Sequence, residues 1–211
     1  MCKTFSGFST EHTAIHWDPG ASDSHETLAD LLGVTRDPLR RVQWEFYPED
    51  NEWGLPDHYV LHTDQDMIPA WWDAAHQEKV ATELRERVAR MVRADKCKVL
   101  AGGPWILGDG FEAQETANCQ IAAVGKSAKV NLGKIAGSVA ARNIFGSVTT
   151  GDVCGSVTTG VVDGSVTTGY GDVCGSVVFA GVPQVKTGAA TWKPMPAAPA
   201  PANKRSRLGS T

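Results

Sequence analysis

The 211-residue chain has no run of apolar residues approaching 18, so the sequence offers no transmembrane helix. Its first residues, Met1-Cys2-Lys3-Thr4-Phe5-Ser6, hold no apolar stretch and no small-residue cleavage site, so no secretory signal is expected. Cysteine is scarce. There are five, Cys2, Cys97, Cys119, Cys154 and Cys174, an odd number with no CxxC pair, which argues against a zinc knot or a disulfide framework and for reduced thiols in a cytoplasm. Also missing are GxSxG, Walker A, HExxH and a GxGxxG opening a helix. A net charge of −4 is a poor basis for a non-specific nucleic-acid binder, so nucleic acid is not an expected partner.

The charge is unevenly spread. Residues 184–211 carry Lys186, Lys193, Lys204, Arg205 and Arg207 and no acid, which leaves the rest of the chain at −9 against the whole-chain −4. That segment is rich in Pro and Ala and cannot bury enough apolar surface to offset its ordering entropy; it is expected to be a disordered basic tail.

Ahead of it, the sequence predicts an α+β domain over about 1–115. The first forty residues look loop-rich, with one short helix near 24–32 announced by Asp23-Ser24-His25-Glu26 and stopped at Gly33. Val42, Trp44 and Phe46 alternate with polar residues as in a half-buried strand over 41–47, and His58–Thr63 suits a second strand. Trp72, His76, Val80, Leu84, Val88 and Met91 share one face of a helix near 70–94, with Glu83–Arg87 and Glu86–Arg90 on the other. Short strands are expected at 98–100 and 105–107, around the turn Gly102-Gly103-Pro104.

The most specific feature is a repeat. From residue 137 the units read GSVAARNIF, GSVTTGDVC, GSVTTGVVD, GSVTTGYGDVC and GSVVFAGVP, with a degenerate unit before them at 128–136. Val stands third in every unit, at 139, 148, 157, 166 and 177. From Val153 to Val157 every second residue is apolar or Gly, as on the inner face of a strand. The step from Val157 to Val162 is five, so a straight strand would turn the second Val outward, and Thr158-Thr159-Gly160 is expected to form a corner. Units this short must stack. A β-solenoid over about 118–183, with two units per coil of about 18 residues, fits the near-identity of the units better than an antiparallel meander with Thr-Thr-Gly hairpin turns. The inner Gly would let facing strands approach. The N-terminal domain would then cover one end of the stack.

Two sets of residues are candidates for a binding face. The pairs Thr149–Thr150, Thr158–Thr159 and Thr167–Thr168 form a stripe near the corners that could present ordered hydroxyls, although Thr is also a common strand residue. Cys154 and Cys174 hold equivalent positions one coil apart, close enough for a disulfide clip; the plainer reading is two surface thiols. No cofactor is expected. His12 and His16, four apart beside Asp18, would need a helix to share a metal, and Trp17-Asp18-Pro19 argues for a turn. His58 and His62 on a strand would stand roughly 13 Å apart, too far for one metal.

The run Pro69-Ala70-Trp71-Trp72-Asp73, the charged helix, Val99-Leu100-Ala101-Gly102-Gly103-Pro104-Trp105-Ile106-Leu107 and the Ser/Val/Gly repeats together resemble uncharacterised bacteriophage and prophage proteins, in which a small α/β segment precedes short solenoid-like repeats. The Thr-Thr-Gly corners depart from that group's more polar repeats. The resemblance implies a phage setting and no particular activity.

Three functions follow as expectations. The first is a non-enzymatic binding protein of the host cytoplasm, which engages a host or phage protein through its repeat face and so inhibits a host factor. The second is a virion subunit (fibre, spike or decoration protein) that forms homo-oligomers through the solenoid. The third is an enzyme with a site around Glu45, His58 and His62.

Overall fold

The computed structural model describes residues 4–11, 14–21, 24–168 and 176–179. Cys174, the insertion at Tyr170-Gly171 and the 184–211 tail lie outside the described residues. The elements run β1 (Phe5–Thr10), β2 (Ala14–Trp17), α1 (His25–Leu32), β3 (Arg41–Pro48), β4 (Tyr59–Thr63) and α2 (Ala74–Met91), then the strands of the solenoid.

A four-stranded antiparallel sheet of order β2-β1-β3-β4 opens the chain. The first forty residues are therefore not mainly loop. The central strand β1 is buried on both sides: Phe5 belongs to the large core that also holds Val42, Trp44 and Phe46, while Phe8 packs with Leu28 and Ala29 of α1 and with Val34. A strand covered twice shows no alternation of apolar and polar residues, which is why Phe5-Ser6-Gly7-Phe8-Ser9-Thr10 reads as a loop. Gly7 and Ser9 serve their neighbour: a side chain at Gly7 would strike the Trp44 ring, whose Nε1 donates to Ser9 Oγ at 3.1 Å.

The helices follow their sequence signals with small differences. Ser24 caps α1, its hydroxyl accepting from Thr27 N–H at 3.4 Å, and Gly33 ends it at φ 65°. Glu26 lies 3.9 Å from Arg36, and Asp23, the other half of the expected capping box, is outside the described residues. In α2, Val80, Leu84 and Val88 are buried as their spacing requires, and Asp73 caps the helix by accepting from His76 N–H at 2.8 Å. The Glu83–Arg87 pair forms at 2.6 Å. Arg85, in turn, reaches back to Glu78 at 3.1 Å.

From residue 92 the chain winds into a β-solenoid, which makes about four turns over residues 92–168 and pairs with one further strand at 176–179. Its strands are β5 (Val92–Arg93), β6 (Lys96–Leu107), β7 (Glu112–Val124), β8 (Lys129–Asn131), β9 (Lys134–Ile135), β10 (Val139–Ile144), β11 (Ser147–Thr150), β12 (Ser156–Val162), β13 (Ser165–Thr168) and β14 (Ser176–Phe179). Every pairing among them is parallel, which excludes the meander. Val139 pairs with Val157, Val148 with Val166 and Ile135 with Val153, so paired residues stand 18 apart. The solenoid starts earlier than the repeats suggest. The two short strands expected near 98 and 105 are one strand, β6, whose register slips between Leu100, Gly102, Trp105 and Ile106.

The Thr-Thr-Gly corner holds in only one of the two alternating positions. After Thr149-Thr150 the chain does turn, at Gly151-Asp152, whereas Thr158-Thr159-Gly160 lies inside β12, which continues to Val162. Identical segments thus take different shapes according to which side of the coil they occupy.

Inside, Leu107, Phe111, Ile121, Val124, Leu132, Ile135, Val139, Ile144, Val148, Val153, Val157 and Val166 form a continuous apolar core. Each large side chain so buried contributes roughly 1.5–3 kcal/mol. The glycine that opens each unit serves the stacking. A Cβ on Gly155 would land on the carbonyl oxygen of Gly137, and one on Gly164 on that of Gly146, in each case 18 residues earlier. The close approach is therefore between successive coils along the stack and not between strands facing each other across the interior.

The N-terminal region lies along the flank of the solenoid and not only at its end. Ile106, Ala122, Ala123 and Phe145, from successive coils, belong to the same core as Phe5, Trp53, Tyr59 and Trp72. Phe145 stacks on Trp53 with ring centroids 5.8 Å apart and planes 8° from parallel. Polar ties flank this contact: Glu52 accepts from Ser127 Oγ at 2.8 Å, Lys126 N–H donates to Asn51 O at 2.9 Å, and Arg142 Nη1 donates to Pro19 O at 3.2 Å.

Candidate functional site

The six threonines do not make one stripe. Consecutive residues of a strand point to opposite faces, so a Thr-Thr pair must divide. Thr149 and Thr158 are exposed and Thr167 is half-exposed; Thr150, Thr159 and Thr168 are buried. The outward threonines also divide between two sides of the coil. Thr149 stacks between Asn131 and Thr167, whereas Thr158 lies between Ala140 and Val178. Inside, Thr159 Oγ1 and Thr168 Oγ1 have no hydrogen-bond partner among the described residues, and Thr150 Oγ1 donates to Gly151 O at 3.4 Å. These three belong to the interior and cannot meet a ligand in the folded chain.

A neighbouring column completes the outer faces. Ser is second in every repeat unit, a constancy that points outward once the third-position Val is placed inward. Ser165 Oγ donates to Ser147 Oγ at 3.1 Å, and Ser156 Oγ donates to Ser138 Oγ at 3.1 Å. One side of the solenoid therefore carries two columns, Lys129-Ser147-Ser165 and Asn131-Thr149-Thr167. Neighbours stand about 4.8 Å apart along a column, and the columns about 6.8 Å apart across it. The result is a flat grid of short polar side chains.

Cys154 is exposed, as a thiol pointing away from the core should be, and its proposed mate lies outside the described residues. Two other thiols are of a different kind. Cys119 is in the solenoid core, where burial, with Cys97 nearby, pushes its pKa up to about 12. Burial raises Cys97 as well, with the Asp95 carboxylate adding to it. Neither has the environment of a reactive thiolate.

The histidines and acids of the N-terminal region do not converge. His58 Nδ1 lies 2.5 Å from Asp50 Oδ2, while His62 stacks on Tyr47 at 5.0 Å and lies 3.6 Å from Glu49. Glu45 is the cross-strand neighbour of His62, and Glu52 is turned to Ser127. The backbone N–H of Glu52 is the main cause that holds the Asp50 carboxyl below its ordinary pKa, and His58 adds to it. His16 Nε2 is 3.2 Å from Thr10 Oγ1, and His12 is outside the described residues. Among the described residues, no three His, Cys, Asp or Glu side chains group as metal ligands.

The chain matches no family model, no curated protein and no solved structure. Its functional reading therefore rests on its own geometry. Solenoid folds commonly serve structural or binding roles, because stacked coils offer extended surfaces. Among the described residues no helix is long and apolar enough to cross a membrane.

Proposed function

We propose that the chain is a non-enzymatic binding protein that engages a partner protein through the outer face of its solenoid. The observation that carries this reading is the grid of Ser147, Thr149, Ser165 and Thr167 with Lys129 and Asn131, held in register by parallel pairing. Short side chains on rigid backbone lose little entropy on binding, and a flat repeating face suits an extended or flat partner. The phage setting, action in the host cytoplasm and inhibition of a host factor belong to the same proposal. Of these, the sequence resemblance supports the phage setting alone.

The test is a pull-down from host lysate that compares the full-length chain with a Thr149→Arg/Thr167→Arg variant, read by mass spectrometry. The expected result is one protein captured stoichiometrically by the parent and lost with the variant. Equal capture by both, or none by either, would overturn the reading. The second reading, a virion subunit built by solenoid stacking, has one observation in its favour. Along Lys96–Trp105, β6 is paired only on its β7 side among the described residues, which leaves a strand edge that another chain could extend. The bait's native mass distinguishes the two, since stacking predicts a large defined assembly.

A further inference from the structure

Among the described residues, three of the six exposed large apolar side chains gather at one place in the N-terminal region. Leu39 is 56% exposed, Met67 54% and Ile68 46%, and half-buried Trp71 lies with them. Hydrogen bonds tie their two loops together. The Gln65 carboxamide nitrogen donates to Pro38 O at 3.3 Å, Arg41 O at 3.2 Å and Met67 O at 2.6 Å, and Trp71 Nε1 donates to Leu39 O at 3.0 Å. This is a built platform: the backbone is fixed, the indole is held, and the apolar ends face water. The N-terminal sheet, the solenoid and both helices leave it uncovered.

The charge around the platform is segregated. The Leu39 loop reads Arg36-Asp37-Pro38-Leu39-Arg40-Arg41, basic on balance, and the Met67 loop reads Asp64-Gln65-Asp66-Met67-Ile68, with two acids and no base. Most of these charges are occupied. Arg36 pairs with Asp30 at 2.7 Å, Asp64 lies 3.2 Å from His25, and Arg41 is buried over the Phe8 ring. Asp37, exposed and without an ion pair, is turned to its own loop and accepts from Leu39 N–H at 3.0 Å, whereas Arg40 and Asp66, both exposed, have no ion-pair partner among the described residues. An apolar centre with one open cation on one loop and one open anion on the other is complementary to itself. A two-fold rotation sets the basic loop of one copy against the acidic loop of the next.

We propose that this platform is a two-fold interface at which two copies of the chain pair, Leu39, Met67, Ile68 and Trp71 packing across the axis and Arg40 of each copy meeting Asp66 of the other. The patch is small, so the dimer belongs to the weak, reversible class, with Kd on the order of 10–100 µM. It is independent of the solenoid face proposed above.

Sedimentation velocity of the full chain from about 1 to about 300 µM brackets that range. The expected result is a concentration-dependent monomer–dimer equilibrium. Ile68→Asp, which places a charge at the centre, should leave monomer throughout. Arg40→Asp should weaken association at least about tenfold, the scale of one lost charged contact turned repulsive, and Arg40→Asp/Asp66→Arg should restore it. That restoration distinguishes an ion pair across the axis from a folding defect, since both positions are exposed. The Thr149→Arg/Thr167→Arg variant should dimerise like the parent. Monomer at every concentration would overturn the proposal and leave the platform to a different partner; so would a dimer indifferent to Ile68→Asp, or a double exchange that fails to restore association in a chain with native circular dichroism.

Discussion

Replacing Gly164 with Ala tests how the coils are stacked. A Cβ there would fall on the carbonyl oxygen of Gly146, one coil below. That same oxygen accepts the hydrogen bond from Ser165 N–H at 3.0 Å, and Gly164 N–H itself donates to Ile144 O at 3.1 Å. The methyl group must push the coils apart at this corner, and both bonds are put at risk. A buried backbone group left without a partner costs about 1–3 kcal/mol, and the lower unfolded-state entropy of Ala returns about 0.4–1 kcal/mol. With two such groups, the net expected loss is about 1–5 kcal/mol. Gly151 is the control. Its Cβ would stand 3.2 Å from Gly133 O, a contact that a shift of a few tenths of an ångström relieves. Gly151→Ala should therefore stay within about 1 kcal/mol of the parent. Urea unfolding followed by far-ultraviolet circular dichroism gives both values from midpoint and slope. If Gly164→Ala is as stable as Gly151→Ala, the account of the repeat glycine as a spacer between coils is wrong.

Other predictions follow from the same structure. Phe145→Ala removes a 7%-exposed ring from the junction between solenoid and N-terminal sheet and should cost about 3–5 kcal/mol, seen as an earlier urea midpoint of tryptophan emission; a loss under about 1 kcal/mol would contradict the stacking on Trp53. The Asp50 carboxyl is held below its ordinary pKa by the Glu52 N–H, so its ionised form adds stability above that ordinary value, and the contribution is lost as pH falls through the lowered folded value. Asp50→Asn should accordingly flatten the acid limb of a thermal-melt series below about pH 4, while an unchanged limb would refute it. With alkylating reagent at pH 8, peptide mapping should show Cys154 modified before Cys97, and Cys119 only after unfolding, because Cys119 is buried and its pKa is pushed up to about 12; early labelling of Cys119 would count against a closed coil.

The parts of the fold that the sequence announces are those in which one side of an element faces water. Helix α2 shows its buried Val80, Leu84 and Val88 at steps of four because its other face is solvated, and β3 alternates for the same reason. Strand β1 hides because both of its faces are covered. The early coils hide for a different reason. Their partners lie 16, 17 and 20 residues apart, as in Lys96–Glu112, Leu107–Val124 and Cys119–Val139, so no constant period survives. Those are the coils whose outer side must fit the N-terminal core through Ile106, Ala122 and Ala123. The pairs β10–β12 and β11–β13 hold 18 and repeat visibly, although Phe145 also joins that core, and β12–β14 pairs at 20, as in Val157–Val177. In the candidate face, the threonines were legible as a set but not as inside and outside, because the same pair occurs on two differently shaped sides of the coil. The serine column was present in every unit, and its meaning depended on fixing the inward direction of the neighbouring Val.

The 18-residue register also constrains how such a chain can change length. Near-identical units invite slippage and recombination of their coding sequence in steps of nine residues. One unit is only half a coil. Its gain or loss would move a Thr-Thr-Gly that belongs at a corner into a strand, and would shift Ser147 and Ser165 off their shared column. A change of two units restores every neighbour and moves the next coil by about 4.8 Å. Selection on the folded product should therefore pass insertions and deletions in pairs of units, so that the gene mutates in half-steps while the protein grows in whole ones.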